Sequence, residues 1–129
     1  MIRVYTASKL QHWLKWKELR AEWPEIKFTA RWPDVDIGSI PGRPEECRAH
    51  WLDDEQDVRS ADVVLVYAED GEHLRGALIE AGMAIALGKQ VIVVGDHPDF
   101  GTWQHHPNVT RVTDLSHAKA QLLERSATQ

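Results

Sequence analysis

One acidic residue in an otherwise apolar helical stretch is the first candidate for chemistry. Glu80 lies between Ile79 and Ala81, and apolar residues continue over positions 83–85. A carboxylate among apolar side chains is unfavourable unless it is paired or used. The helical pattern by itself also allows Glu80 to point to solvent. Its place within two turns of the expected helix start, where the helix dipole weakly favours an ionised carboxylate, indicates a functional role.

Two other groups of polar residues are weaker candidates. Asp54 and Asp57 stand on the preceding predicted helix, where a solvated face or a capping pair is the simpler interpretation unless the tertiary structure points one of them at a site. His97, His105 and His106 could bind a metal ion, but a loop trio without helical spacing is more typical of solvated side chains. We therefore predict no metal site.

The elements around these residues predict an α/β fold. Short apolar strands alternate with amphipathic helices, and right-handed crossovers between them imply a parallel, doubly wound sheet with helices on both sides. We expect residues 1–129 to form one flavodoxin-like or Rossmann-like domain with a five-stranded parallel sheet. Strands are expected at 2–6, 26–30, 61–67, 90–94 and 109–112, and helices at 9–22, 45–60, 74–87 and 115–125.

Local signals predict where the helices begin, end and face. Ser8 is expected to cap the first helix and Asp114 the last, and Gly88 is expected just after the third. Pro44 suits the entry into the second helix, after a loop over 31–44 that is rich in proline and glycine. The expected core-facing residues are Leu10, Trp13, Leu14 and Leu19 in the first helix and Cys47, His50, Trp51 and Val58 in the second.

Composition narrows the classes of function. A length of 129 residues fits one domain, and the net charge of −5 argues against binding a nucleic-acid polymer, which needs a basic face. The single cysteine, Cys47, excludes an internal disulfide and a cysteine-based zinc site. No apolar run reaches membrane-spanning length, and the first residues indicate a strand rather than a secretory signal. We expect no membrane partner and a cytoplasmic location.

The fold class predicts where a ligand would bind. In an open α/β sheet, ligands lie beyond the carboxyl ends of the strands, here in the segments 5–8, 31–42, 67–73 and 95–107. The sequence has no Gly-x-Gly-x-x-Gly or Walker glycine loop, so dinucleotide or nucleoside triphosphate binding has little support. A response-regulator receiver is excluded because the first strand is followed by no acidic pair.

Several of these residues recur in a recognisable order. Val-Tyr-Thr-Ala ends the first strand at residues 4–7, and Asp54 comes eight positions before Asp62, which opens the third strand. Gly76 comes four positions before Glu80, which begins Glu-Ala-Gly-Met-Ala-Ile-Ala-Leu-Gly-Lys ahead of an apolar strand. This order resembles the nucleoside 2-deoxyribosyltransferase family, including its nucleotide N-glycosidase branch. The element order matches over the whole domain, and residues 54–94 carry the specific part.

The resemblance implies roles for three residues. Glu80 would be a covalent nucleophile that attacks C1′ of a nucleoside or nucleotide and displaces the base. Asp54 would bind the base or shuttle its proton, because a base leaves poorly as an anion. Tyr5 would orient the nucleophile or the sugar. Asp57 is the alternative to Asp54 if the second helix is shifted by one turn.

The sequence departs from the family beside Glu80. Leu78 replaces a second glycine, and Leu74 replaces an acidic residue, for which Asp70 or Glu72 would substitute only if the loop folds back. Arg75 would suit a phosphate or a carboxylate on the ligand. The resemblance also implies substrate contacts from Gly76, from Ser8 at the position of a 5′-phosphate site, and from Trp32 or Trp103 stacked on the base.

The resulting expectation is an N-glycoside hydrolase or a deoxyribosyltransferase that acts on a nucleoside or nucleoside 5′-monophosphate. Two alternatives stay open, namely a nucleotide-binding module without catalysis and an NAD-cleaving domain of the TIR-like kind. The chemistry needs no metal or organic cofactor. Family members commonly complete each site with a neighbouring subunit, so we expect a homodimer or a larger even assembly.

Overall fold

Five parallel strands form one sheet in the order β2-β1-β3-β4-β5. The computed structural model describes residues 1–35, 43–95, 97 and 100–129. Much of the expected loop over 31–44, and part of the expected ligand segment 95–107, therefore lie outside the described residues. The strands are β1 (Arg3–Ala7), β2 (Lys27–Phe28), β3 (Val63–Tyr67), β4 (Gln90–Val94) and β5 (Val109–Val112).

Four α-helices flank the sheet in the described part of the chain. They are α1 (Trp13–Glu22), α2 (Pro44–Arg59), α3 (Gly76–Ala86) and α4 (Leu115–Ala127). The expected α/β, doubly wound fold with a five-stranded parallel sheet is confirmed. A strict alternation would place a helix between β4 and β5, where the described residues form only a short 3-10 helix, Thr102–His105.

The strand order reverses beside β1. The chain passes from β1 to β2 on one side and then returns to β3 on the other side of β1. Tyr5 pairs with Val64 and Ala7 with Val66, so both strands end at the same edge of the sheet. Such a reversal opens a crevice at the carboxyl ends of the two strands, where ligands bind in folds of this type.

The helix that follows β3 lies close to the sheet because its inner residues are small. Ala77, Ala81 and Ala84 are buried, spaced by four and three positions, and α3 packs on β1, β3 and β4. The strands beneath it are apolar runs buried on both faces, as parallel strands between two helix layers require. This packing carries the middle of α3 over the crevice between β1 and β3.

The first helix differs from its prediction. A 3-10 helix, Leu10–His12, precedes α1, and Ser8 caps neither element. Because a 3-10 helix has a tighter pitch, it shifts the helical face relative to an α-helix that starts at residue 9. The predicted inner face is therefore wrong except at Leu19: Trp16 and Leu19 are buried, whereas Leu10, Trp13 and Leu14 are about half exposed.

The other boundaries differ by a few residues or agree. The strand expected at 26–30 is reduced to two residues, and the helix expected at 74–87 begins at Gly76. β4 and β5 have the predicted bounds. Asp114 accepts a hydrogen bond from the His117 amide at 2.8 Å, which confirms the expected cap. Gly88 has φ +72°, the left-handed conformation expected after a helix.

In the part of the chain that the structure describes, we find no helix whose length and apolarity would let it span a bilayer.

The corrected face of α1 is testable with two matched tryptophan substitutions. We expect Trp16→Phe to lower the free energy of unfolding by about 1–3 kcal/mol, because it removes buried ring atoms and the hydrogen bond from Trp16 Nε1 to Ser8 Oγ. Trp13→Phe should change it by less than about 0.5 kcal/mol, since Trp13 is 46% exposed. Urea unfolding measures both, and equal losses would contradict the assigned face.

Candidate active site

A cavity of about 450 Å³ opens at the carboxyl ends of β1 and β3. Its walls are residues 8–11, Trp32, one face of α2, and His73 with residues 75–77, and Glu80 contributes from the second turn of α3. The volume is within the range of small-molecule sites, and the position is the crevice expected from the strand order.

Glu80 points into the protein and not to solvent. It is 6% exposed, whereas the neighbouring Ile79 is 56% exposed. The Tyr5 hydroxyl donates a hydrogen bond to Glu80 Oε2. Burial raises the pKa of Glu80 to about 8, so desolvation outweighs the weak effect of the helix dipole expected from the sequence. The site therefore combines a buried carboxyl group with one fixed hydrogen-bond donor.

Asp54 faces the same cavity from α2. It is 4% exposed, and His50 Nε2, one turn earlier, lies 3.2 Å from Asp54 Oδ2. Burial raises the pKa of Asp54 to about 6, and Asp57 adds to this effect, while His50 acts in the opposite direction. The structure brings together two carboxyl groups, Glu80 and Asp54, with pKa values above the ordinary range.

Asp57 is buried but does not line the cavity. Its side chain accepts hydrogen bonds from the Arg31 backbone N–H and from Arg31 Nε, both at 2.9 Å. The expected solvated face is therefore wrong for both Asp54 and Asp57, because this side of α2 packs inward, where His50 and Arg31 supply partners. Asp57 holds the segment that leads to Trp32, and the structure does not place it in the cavity wall.

Ser8 and Trp32 lie in the cavity wall with polar atoms already used inside the protein. Ser8 Oγ donates to the Lys9 carbonyl and accepts a hydrogen bond from Trp16 Nε1. Trp32 is 3% exposed, and its Nε1 donates to the Thr6 carbonyl at 2.8 Å. Both residues shape the wall, and neither presents a free donor to a ligand.

Arg75 and Lys9 make the cavity edge cationic. Neither side chain has an ion-pair partner within the described ranges 1–35, 43–95, 97 and 100–129. Gly76 follows Arg75 as the first residue of α3 and packs against the Trp51 ring, which a carbon at the Cβ position would meet at 3.5 Å. Both residues line the cavity, so an anionic group there would meet positive side chains, of which Lys9 also interacts electrostatically with Glu72.

The loop after β3 is fixed away from Glu80. Glu72 accepts hydrogen bonds from Gln11 Nε2 and the Glu69 backbone N–H and lies 2.8 Å from His12 Nε2. Asp70 is exposed and does not line the cavity. Neither Asp70 nor Glu72 takes the place of the acidic residue that Leu74 replaces.

His12, Glu69 and Glu72 form the group in the described chain whose ligand atoms are close enough to hold a metal ion.

The residues of the fourth ligand segment lie elsewhere. His97 Nε2 is 3.1 Å from the Val94 carbonyl, and His106 Nδ1 accepts from the Asn108 amide. Trp103 stacks on Phe100 and is not part of the cavity wall. The alternative that Trp103 stacks on a base in this cavity has no support from its position.

Several cavity residues received no role from the sequence. His50, Trp51 and Cys47 were expected on the inner face of α2, but helical spacing gave no reason to connect them with Glu80. Lys9 and His73 lie in segments without regular structure, where no periodic signal identifies them. For His50, the available clue was its spacing from Asp54. His50 stands four residues before Asp54, so the two side chains lie on the same face of α2.

Comparisons with known proteins support the fold. No protein-family model matches the chain, and no curated protein matches its sequence. Among solved structures, the chain is similar to the Clostridium botulinum CMP N-glycosidase BcmB, with a TM-score of 0.56 and 17% identity over 93% of this chain and 97% of that chain. The fold is that of this N-glycosidase. The resemblance found in the sequence is thus confirmed at the level of the fold.

The raised pKa of Glu80 predicts a pH-dependent stability. Its folded-state pKa of about 8 lies above the ordinary value of 4.5, so the folded protein binds more protons between these pH values and its free energy of unfolding falls as pH rises through that window. Glu80→Gln removes the ionisation and keeps an oxygen acceptor for Tyr5. We expect its stability advantage over the wild type to grow by about 4 kcal/mol from about pH 5 to about pH 9.

Denaturant unfolding across this pH range measures the difference. Glu124→Gln, on the exposed face of α4, is the control and should show a constant difference from the wild type. A constant difference for Glu80→Gln would contradict the raised pKa.

Proposed function

We propose that the protein cleaves the N-glycosidic bond of a nucleoside 5′-monophosphate, with Glu80 as the nucleophile. The observation that carries the proposal is the buried Glu80 carboxyl group, held by the Tyr5 hydroxyl at the cavity wall. In its ionised form, a Glu80 oxygen bonds to C1′ while the bond from C1′ to the base nitrogen breaks, and that electron pair leaves with the base.

The burial of Glu80 has two effects: it raises the pKa to about 8, so the reactive ionised form is the minor one near neutral pH, and it strengthens the action of that form on the transition state. Positive charge develops at C1′ in an oxocarbenium-like transition state, and a carboxylate in a water-poor site stabilises it more strongly than one in bulk water. The hydrogen bond from Tyr5 fixes Oε2 and stabilises the ionised form against the effect of burial. Water then attacks C1′, replaces the Glu80 oxygen and releases the sugar phosphate.

Asp54 supplies the proton that the departing base needs. Its pKa of about 6 keeps a share of it protonated near neutral pH, and it faces the cavity from the wall contributed by α2. The base is placed between Asp54 and the half-buried Trp51, whose ring forms part of the same wall. We assign the stacking role to Trp51, and stacking by Trp32, which also lines the cavity, stays a prediction.

The cationic edge supports a phosphorylated substrate. Arg75 and Lys9 present two positive side chains beside the first turn of α3, where backbone N–H groups also favour an anion. Ser8 contributes the shape of this region, since its hydroxyl is engaged with Lys9 and Trp16.

The similar structure supports hydrolysis over transfer to a second base. That protein is a CMP N-glycosidase, so its substrate is a nucleotide and its reaction breaks an N-glycosidic bond.

A homodimer or larger even assembly stays a prediction, as does a cytoplasmic location. Support for an assembly comes from the exposed apolar residues Leu10, Trp13 and Leu14, the first of which borders the cavity.

Replacing Glu80 tests the reaction directly. We expect the wild type to release free base from one or more members of a panel of ribo- and deoxyribonucleosides, their 5′-monophosphates and NAD, measured by chromatography. Glu80→Ala should lose about 1,000-fold or more of the rate, because no other carboxylate replaces the nucleophile. Glu124→Ala, an exposed glutamate on α4, should keep full activity.

The same panel separates the alternatives. Equal background release by wild type and folded Glu80→Ala would overturn the catalytic proposal in favour of a nucleotide-binding module. Release of nicotinamide as the main product would favour an NAD-cleaving domain. Incorporation of an added second base would show transfer.

Replacing Arg75 tests the phosphate contact. We expect Arg75→Ala to raise KM for the cleaved 5′-monophosphate about 10-fold or more and to leave KM for the matching nucleoside unchanged, because only the monophosphate loses a charge-assisted hydrogen bond. Arg48→Ala, an exposed arginine on α2, is the control. Equal changes in KM for both substrates would contradict the assignment.

A further inference from the structure

The cavity holds a histidine that the reaction described above does not use. His50 stands one turn before Asp54 on α2, and both residues line the cavity. The side chains are secluded, with exposures of 15% for His50 and 6% for Asp54, and His50 Nε2 lies 3.2 Å from Asp54 Oδ2. This contact occupies one oxygen of Asp54 and leaves Oδ1 for another partner.

The pair lies in a mixed electrostatic environment. Asp53 and Asp57 disfavour the ionised form of Asp54, and burial does so more strongly. His50 and Arg31 act in the opposite direction, and Arg31 is already bound to Asp57. In the described chain, His50 and Arg31 favour the ionised form of Asp54. Of these two, His50 is the one whose side chain lies 3.2 Å from the Asp54 carboxyl group.

We propose that His50 is a positioning residue for proton transfer to the departing base, and that it acts through Asp54. The inference rests on the proposed function. In the structure His50 Nε2 lies against Asp54 Oδ2 as an ion-pair contact without the angle of a hydrogen bond. In the substrate complex, His50 Nε2–H donates to Oδ2 and holds the carboxyl group with Oδ1 toward the base. As the bond from C1′ to the base breaks, the proton on Oδ1 moves to the base nitrogen, and the hydrogen bond from His50 stabilises the carboxylate that remains.

The second half of the reaction restores the pair. When water attacks C1′, Asp54 takes the proton that the water loses, and the sugar leaves Glu80. Each turnover thus moves one proton from Asp54 to the base and one from water to Asp54, while His50 keeps its own proton. In the step that cleaves the bond to the leaving group, His50 is expected to matter only where that group must be protonated.

A pair of substrates tests this dependence on the leaving group. One is the 5′-monophosphate cleaved fastest in the panel, and the other carries the same sugar phosphate with 4-nitrophenol in place of the base. The nitrophenolate departs without a proton. We expect His50→Leu to lower kcat/KM, which reports the steps up to cleavage of the bond to the leaving group, about 100-fold for the nucleotide and less than about 3-fold for the nitrophenyl substrate.

Three variants strengthen the test. His50→Gln should recover much of the lost nucleotide activity, since its side-chain amide also donates a hydrogen bond, and it serves as the milder change if His50→Leu folds poorly. Adding His50→Leu to Asp54→Asn should cause little further loss, because His50 acts through Asp54. His105→Leu, at an exposed histidine outside the cavity, should match the wild type for both substrates.

The outcomes separate this inference from the proposed function. A wild type that cleaves both substrates, with His50→Leu equally slow on both, overturns the inference alone and assigns His50 a structural role. Unchanged kinetics in His50→Leu, or losses that add fully to those of Asp54→Asn, overturn it as well. A wild type inactive on every substrate overturns the proposed function and the inference together.

Discussion

The hydrogen bond from Tyr5 to Glu80 is the interaction on which the site depends. It joins β1 to α3 across the crevice, and it gives a partner to a buried carboxyl group in the cavity wall. A buried carboxyl group is costly unless it has such a partner. The small residues on the inner face of α3 allow the helix to lie close enough to the sheet for this contact.

The helix α2 gives two nearby carboxylates different tasks. Asp54 and Asp57 are three residues apart and both buried, yet Asp54 faces the cavity with His50 while Asp57 is bound by Arg31. The difference arises from the partners that each meets. A guanidinium and a backbone N–H fix Asp57 as a structural anchor for the segment before Trp32, whereas Asp54 keeps an oxygen that a ligand can reach.

The cavity combines features that a nucleotide requires. It has an aromatic wall at Trp51, cations at Lys9 and Arg75, and two carboxyl groups whose pKa values are raised by burial. Sites that move protons near neutral pH often contain such shifted groups. The combination, rather than any one residue, makes N-glycosidic cleavage the best-supported function.

The sequence by itself determined the element order and the bounds of β4 and β5, and it singled out Glu80 as a candidate, because apolar periodicity and a charge in an apolar stretch are local signals. It did not determine the inner face of the first helix, since a short 3-10 turn shifted it, nor the partners of Asp54 and Asp57. Residues such as His50, Lys9 and Trp51 became part of one site only when the strand order brought their segments to one edge. Tertiary structure decided these points because contacts between distant segments set burial, and burial sets which polar groups are paired and which face a ligand.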